Sequence, residues 1–375
     1  MLKIDRRLIK SFDWATLLII IVLTLIGIMT IYSATRPPLA DGEHPNFYLK
    51  QMLWLIIGMA SLFIVVTIDY RHLYRFAYVF YSIGIILLLI VIFGGKSSMG
   101  AQRWLSIGPI SFQPSEFFRI AFIIGLSAYL SNIGQNAKRK ISIKGILVFA
   151  IVPFLLLFKQ PDLGTAILIG SLFAVLSISR GISRKVVVVV LLVVLVSVPF
   201  LGHIFWDELR DYQRNRLIVF IDPDIDPKGI GYHIKQSKIT IGSGGFFGKG
   251  YLEGTQGPLR FLPEKHTDFI FSVFAEERGF IGSALLLILY LMLFLRGLDT
   301  ALKAKDEFGR FAALGVTAMF SIYFFVNIGM TLGIMPVVGV PLPFMSYGGT
   351  ALVSNFIAAG ILIGIRMRRF ELFYP

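Results

Sequence analysis

Residues 311–365 read FAALGVTAMFSIYFFVNIGMTLGIMPVVGVPLPFMSYGGTALVSNFIAAGILIGI, 55 positions without a charged side chain. A helix crossing a bilayer needs only about 20 apolar residues. The Pro and Gly cluster at 335–343 interrupts the run, and such residues punctuate helices. The stretch therefore reads as two membrane-spanning helices joined by a turn. It sets the fold class: an all-α polytopic membrane protein.

Uncharged apolar runs recur upstream at 15–33, 51–68, 76–95, 120–137, 145–158, 163–179, 186–206 and 279–295. With the two above they make an expected ten spans. Run 145–158 is short and carries Pro153. The first run is too long for a signal-peptide core and has no small-residue cleavage site behind it, so it is expected to remain. Composition agrees: 56% hydrophobic and 15% charged residues, where a soluble domain has about 25% charged. A disordered chain, a collagen-like chain and an ordinary cytosolic enzyme are excluded. Cys is absent, which excludes disulfides, thiolate catalysis and Cys-ligated metals.

The net charge of +14 does not point to nucleic acid. The basic residues flank apolar runs, where they set topology. Ten spans put both termini on one side, and the basic N-terminus assigns that side to the cytoplasm. The cytoplasmic segments then hold 20 Lys and Arg, against five in the short opposite segments. One outer segment, 207–267, is far longer than the rest, and such loops are usually functional. The expected organisation is one integral membrane domain, 1–375, with that loop between the seventh and eighth spans.

Two motifs fail. Gly242-Ser-Gly-Gly-Phe-Phe-Gly-Lys-Gly250 has Gly250 where a phosphate loop needs Ser or Thr, so its glycines read as turns. Asp222-Pro-Asp-Ile-Asp226 begins like a calcium loop, but Pro227 and His233 occupy the positions of the required Gly and Glu. The five His residues show no zinc spacing.

Ionisable groups in or beside spans are costly and mark candidate sites. Glu116 and Arg119, three apart at the start of a span, share a helix face. They read either as a self-neutralising pair or as substrate contacts. Asp162, with Thr165 three positions on, reads as an N-cap or as part of an ordered site at a helix N-terminus. Glu276-Glu277-Arg278 reads first as structural. Asp268 is the last polar residue before an apolar run. Partial desolvation at that boundary suits a general base, and an N-cap is the alternative. On an outer face, a group donor has to arrive on a lipid. Glycosyl transfer from a lipid-pyrophosphate sugar needs a base, and it needs cations or a divalent metal at the leaving pyrophosphate. Asp268 could supply the first. Arg119, Arg214, Arg216, Lys238 and Lys265 are candidates for the second, with Mg²⁺ or Mn²⁺ as the metal. No nucleotide cofactor is expected.

The chain also resembles the SEDS family (shape, elongation, division and sporulation proteins) over nearly its whole length. The resemblance rests on Ala101-Gln-Arg-Trp-Leu105, Phe112-Gln-Pro-Ser-Glu116, Gln160-Pro-Asp-Leu-Gly-Thr165 and Asp211-Tyr-Gln-Arg214. It continues through Gly231-Tyr-His-Ile-Lys-Gln-Ser-Lys238, Gly254-Thr-Gln256, 261–271 and 336–350. Gly231-Tyr-His233 and Glu264-Lys265-His266 look like the elongation branch, not the division branch. The resemblance implies ten helices and an inverting peptidoglycan glycosyltransferase that polymerises lipid II in the bacterial cytoplasmic membrane. By the match of His266-Thr-Asp268 it implies Asp268 as the catalytic carboxylate. Glu116, Arg119, Asp162 and Thr165 match polar positions of the family's central cavity. Arg119 departs from the usual Lys, exchanging a point charge for a planar fork. Arg214, Lys238 and His266 lie in matched segments and join the expected substrate-binding set. A class B penicillin-binding protein (a transpeptidase) and other elongation-complex proteins are the implied partners. The alternatives are a lipid II flippase and a non-catalytic scaffold.

Overall fold

The computed structural model describes residues 11–36, 46–98, 101–107, 110–135, 143–160, 162–181, 219, 225–226, 229–255 and 264–369. In chain order the helices are α1 (Trp14–Thr35), α2 (Phe47–Thr67), the short α3 (Tyr70–Arg75) and α4 (Ala77–Gly94). Three strands follow, β1 (Lys96–Ser98), β2 (Ala101–Ile107) and β3 (Ile110–Phe112), then α5 (Pro114–Gln135), α6 (Ile143–Lys159) and α7 (Leu163–Ser179). The last helices are α8 (Ile230–Ser243), α9 (Ile270–Leu302), α10 (Glu307–Thr331) and α11 (Gly349–Met367).

Nine of the ten expected spans correspond to described helices, and residues 186–206 lie outside them. Helices α1, α2, α4, α9, α10 and α11 are long and apolar enough to cross a membrane. Helices α6 and α7 have 17 residues each, and α5 carries the buried Glu116 and Arg119. The long uncharged run divides where the Pro and Gly cluster required, between α10 and α11. Asp side chains cap α1, α3, α7 and α10: Asp306 accepts from the Gly309 N–H at 2.7 Å at the head of α10, satisfying an otherwise orphaned donor.

Helix α10 lies at the centre, against α5, α7, α9 and α11, while α11 packs on α2. The outward faces of α2 and α4 are apolar; Ile56 is 67% and Phe93 86% exposed. In water such faces would be a liability; in lipid they are what a spanning helix presents.

The strands were not foreseen. They form an antiparallel sheet in the order β1-β2-β3, with Leu105 opposite Phe112. Trp104, Ile107 and Ile110 favour strands, and the segment is too short to make another span.

Among the described residues of the long loop, α8 packs on α9. The Gly-rich stretch after α8 laces into a break in α9. Lys249 and Gly250 donate to the carbonyls of Glu276 and Glu277 at 3.0 and 3.1 Å, and Phe280 donates back to Gly245 at 3.0 Å. Gly279 sits at φ 62°, ψ −162°, a region essentially reserved for Gly. A Cβ there would lie 2.3 Å from the Gly248 nitrogen. Glu276 is fully buried and receives Lys249 Nζ at 2.6 Å and the Thr255 N–H at 3.0 Å. Glu277 accepts from the Ser33 hydroxyl and the Leu252 N–H. The two carboxylates thus pin the loop to α9 and α1, as the structural reading of this pair expected.

Candidate active site

Local sequence explains how each site residue is presented. Pro114 starts α5, where a missing N–H costs nothing, and Glu116 follows in the first turn. Asp162 caps α7, accepting from Thr165 Oγ1 at 2.8 Å and from its N–H at 3.3 Å. Asp268 lies two residues before α9, in the turn that begins at Glu264. Glu264 holds a φ of 50°, uncommon for a residue with a Cβ. Its carboxylate accepts from Thr267 Oγ1 at 3.0 Å.

These elements converge on a cavity of about 240 Å³. Its walls include Glu116, Asp162, Thr165, Glu264, Thr267 and Asp268, with Arg103 and Trp104 from β2, Tyr323 from α10 and Tyr347 before α11. Four residues expected to act together, Glu116, Asp162, Thr165 and Asp268, do share one space. Four carboxylates and one guanidinium face it, so the cavity is acidic. Arg103 approaches Asp162 at 3.6 Å.

Arg119 is not on the wall. It is 1% exposed, directly behind Glu116, and donates to the Glu116 carboxylate at 2.5 Å. The same nitrogen reaches Ser354 Oγ and Asn355 Oδ1, both at 2.8 Å. Its guanidinium lies 4.4 Å from the centre of the Tyr323 ring, a cation–π contact. His266 stacks on Phe47, with ring centroids 4.7 Å apart, and its carbonyl accepts from the Tyr347 N–H at 2.9 Å. Burial lowers the His266 pKa, with Glu264 opposing and Lys265 reinforcing the shift. Lys238 is exposed on α8, its stem over Gly333, and is not among the lining residues. Arg214 lies outside the described residues.

Sequence reasoning passed over Arg103, Trp104, Glu264, Tyr323 and Tyr347 as site residues. Arg103 and Trp104 were visible within Ala101-Gln-Arg-Trp-Leu105, but Arg103 was counted only toward topology. Tyr323 sits in an apolar run that offers no signal of its own.

A polytopic bundle with a carboxylate-lined cavity at helix termini defines a membrane protein with a polar internal site. Comparison with known proteins agrees. The model of the FtsW, RodA and SpoVE cell cycle proteins matches residues 13–370. The peptidoglycan glycosyltransferase MrdB of Escherichia coli K12 is 40% identical over 358 residues, covering 95% of this chain and 94% of its own. The peptidoglycan glycosyltransferase RodA of Treponema pallidum is 33% identical and covers 97% and 99%. A chain of a solved peptidoglycan synthase complex that coordinates polymerisation and crosslinking superposes with a TM-score of 0.80 at 28% identity, covering 96% and 99%. The rod shape determining protein RodA of Thermus thermophilus gives 0.72 at 26% identity, covering 96% and 98%. The chain belongs to the FtsW/RodA/SpoVE cell cycle protein family. It is a multi-pass membrane peptidoglycan glycosyltransferase.

Proposed function

We propose that this glycosyltransferase polymerises lipid II into glycan strands, with inversion, at the outer face of the bacterial cytoplasmic membrane during cell elongation. Both termini are cytoplasmic in this reading, as the basic segments require. Asp268 is the general base that takes the proton of the acceptor hydroxyl. The observation that carries this is its position on the wall of a cavity shared with Glu116 and Asp162. A flippase would need neutralising groups along its whole crossing path, whereas these polar groups gather at one set of helix termini. A scaffold would need no carboxylates in a cavity. A class B penicillin-binding protein is the partner that supplies crosslinking, a reading supported by the likeness to a synthase complex.

The developing charge on the departing lipid pyrophosphate needs cations. Arg103 on the wall and Lys238 and Arg214 in the long loop are assigned that role. Glu116 and Thr165 position sugar hydroxyls, with Arg119 holding Glu116, Asp162 ordering Arg103 and His266 fixing the Asp268 turn. Among the described residues no three acidic or His side chains converge as a metal cage. The hard oxygens of Asp268 nonetheless fit Mg²⁺ or Mn²⁺, which usually take one or two carboxylates plus substrate phosphates. Such an ion would supply charge neutralisation at the pyrophosphate.

The test is Asp268→Asn, which keeps the shape of the side chain. Strand synthesis from purified lipid II should fall about 10²–10⁴-fold, the usual cost of losing a general base. Membrane level and co-purification with the transpeptidase should be unchanged. Near-normal synthesis would remove the base assignment.

A further inference from the structure

Three consecutive carbonyls of the His266-Thr267-Asp268 turn are held from the segment that joins α10 to α11 or from α10 itself. Tyr347 N–H donates to His266 at 2.9 Å, Ser346 Oγ to Thr267 at 2.6 Å, and Asn327 Nδ2 to Asp268 at 2.9 Å. The last bond differs from the others. Its donor stands on the rigid central helix, and the same Nδ2 reaches the Val340 carbonyl at 2.8 Å. Asn327 is fully buried. Both neighbours are carbonyl oxygens, so only the amide nitrogen can face them, and the orientation of the side chain is determined. The other amide atom, Oδ1, bonds none of the described residues. A buried polar atom so placed calls for a reason. Here the reason is the pair of carbonyls that the nitrogen spans: one belongs to Asp268 and one to Val340, and Val340 itself lines the cavity.

We infer that Asn327 is a positioning residue for Asp268, acting through the backbone of the carboxylate and not on substrate. Asn327 is not among the lining residues of the cavity, so it has no direct route to the sugar. It fixes the Asp268 backbone relative to Val340, a neighbouring residue of the cavity wall, and thereby the reach of the carboxylate. Ser346 supports the same turn one residue earlier, and its Oγ also accepts from the Leu342 N–H at 2.8 Å. The turn and the α10–α11 segment are therefore one clamped unit, with Asn327 as its only tie to a membrane-spanning helix among the three carbonyl bonds.

The inference rests on Asp268 being the base, and the experiment separates the two. Full-length Asn327→Ala, Asp268→Asn and the double variant are purified and assayed for strand synthesis from lipid II across pH. Displacement of a reacting group by about 1 Å can cost 10²-fold. Asn327→Ala is expected to lower kcat about 10–100-fold, leave KM within about twofold, and move the acidic limb of the kcat profile. In the Asp268→Asn background it should add no further loss. A merely structural role would reduce thermal stability and the folded fraction, leaving kcat per folded molecule and the pH profile as in the wild type. That result, alongside an inactive Asp268→Asn, overturns the inference and spares the base. Losses that multiply in the double variant also overturn it. An active Asp268→Asn overturns both. Should Asn327→Ala fail to accumulate, Asn327→Ser carries the same test, since its hydroxyl is too short to span both carbonyls.

Discussion

Arg119 reaches the Glu116 carboxylate at 2.5 Å, and the two are 1% and 4% exposed. Yet only Glu116 faces the cavity. Taking two charges out of water is costly even when they pair, and removing one partner costs about 3–5 kcal/mol because it strands the other. Glu116 is thus held in place by a cation that substrate does not need to touch.

This asymmetry yields a first prediction. Arg119→Met should lose both thermal stability and strand synthesis, because it strands a buried carboxylate. Glu116→Gln should retain more of the fold and lose synthesis. The double variant should regain stability without regaining activity. A thermal melt and a lipid II assay on each protein complete the cycle. Recovery of synthesis in the double variant would reduce the pair to mutual neutralisation.

Much of this was legible in the sequence, for physical reasons. Charges are so scarce in apolar runs that Glu116, Asp162 and Asp268 announce themselves, and all three line one cavity. The spacing of Glu116 and Arg119 gave a common helix face. It could not say which of the two would point into the cavity, since that depends on Ser354, Asn355 and Tyr323 arriving from two other helices. Asn327 was invisible for the same reason: an amide inside an uncharged run looks tolerated, and its partners are backbone atoms 59 and 13 residues away. The turn reading of the Gly-rich stretch holds from Gly244 onward, whereas Gly242 and Ser243 close helix α8. What those turns do was set by the break at Gly279, which sequence reading placed only at the edge of a span.

That break gives a second prediction. Gly279→Ala places a Cβ in a Gly-only backbone region and against the Gly248 nitrogen. It should destabilise the protein by about 1–3 kcal/mol from backbone strain alone. Gly242 is the control: it is helical, and a Cβ there meets nothing within 4 Å. Gly242→Ala should be neutral or stabilising by up to about 1 kcal/mol. Equal melting temperatures for the two variants would contradict the proposed locking of the loop into α9.

The third prediction concerns pH. Burial lowers the His266 pKa below its usual value of 6.5. The unfolded chain therefore binds this proton more readily than the folded one. Stability from this group is fully present above about pH 6.5, the unfolded value. It declines as pH falls through that value and levels off below the depressed folded one, because stability rises with pH wherever the unfolded state holds more protons. His233 on α8 is shifted in the same direction, also mainly by burial, so the acid loss has two contributors. His266→Phe keeps an aromatic ring against Phe47 and removes the titration. Its melting temperature should depend less on pH between 5 and 7 than that of the wild type, and His233→Phe should remove a further part. An unchanged pH dependence in the double variant would show that neither imidazole governs acid stability.

The last prediction addresses the leaving group. Glu116, Asp162, Glu264 and Asp268 all line the cavity, and a pyrophosphate approaching them is repelled. Charge that builds on its oxygens must be met by cations, and Arg103 is the cation on that wall among the described residues. Losing one well-placed donor to developing negative charge costs about 2.7–4 kcal/mol of barrier, or 10²–10³-fold in turnover. Arg103→Met should fall in that range. Asp162→Asn tests whether the loss comes merely from breaking the 3.6 Å pair: Asn still caps α7, so this variant should lose less than Arg103→Met. Lys238→Met and Arg214→Met probe the long loop in the same assay, each across a Mg²⁺ and Mn²⁺ titration with a chelator control. If the side chains carry the role, turnover drops in Arg103→Met and in the loop variants, and added metal restores little. If a metal carries it, the chelator silences the wild type and all three variants are mild. Full activity in every variant, together with indifference to the chelator, would leave the departing pyrophosphate without the stabilisation assigned to it and would remove this account of the reaction.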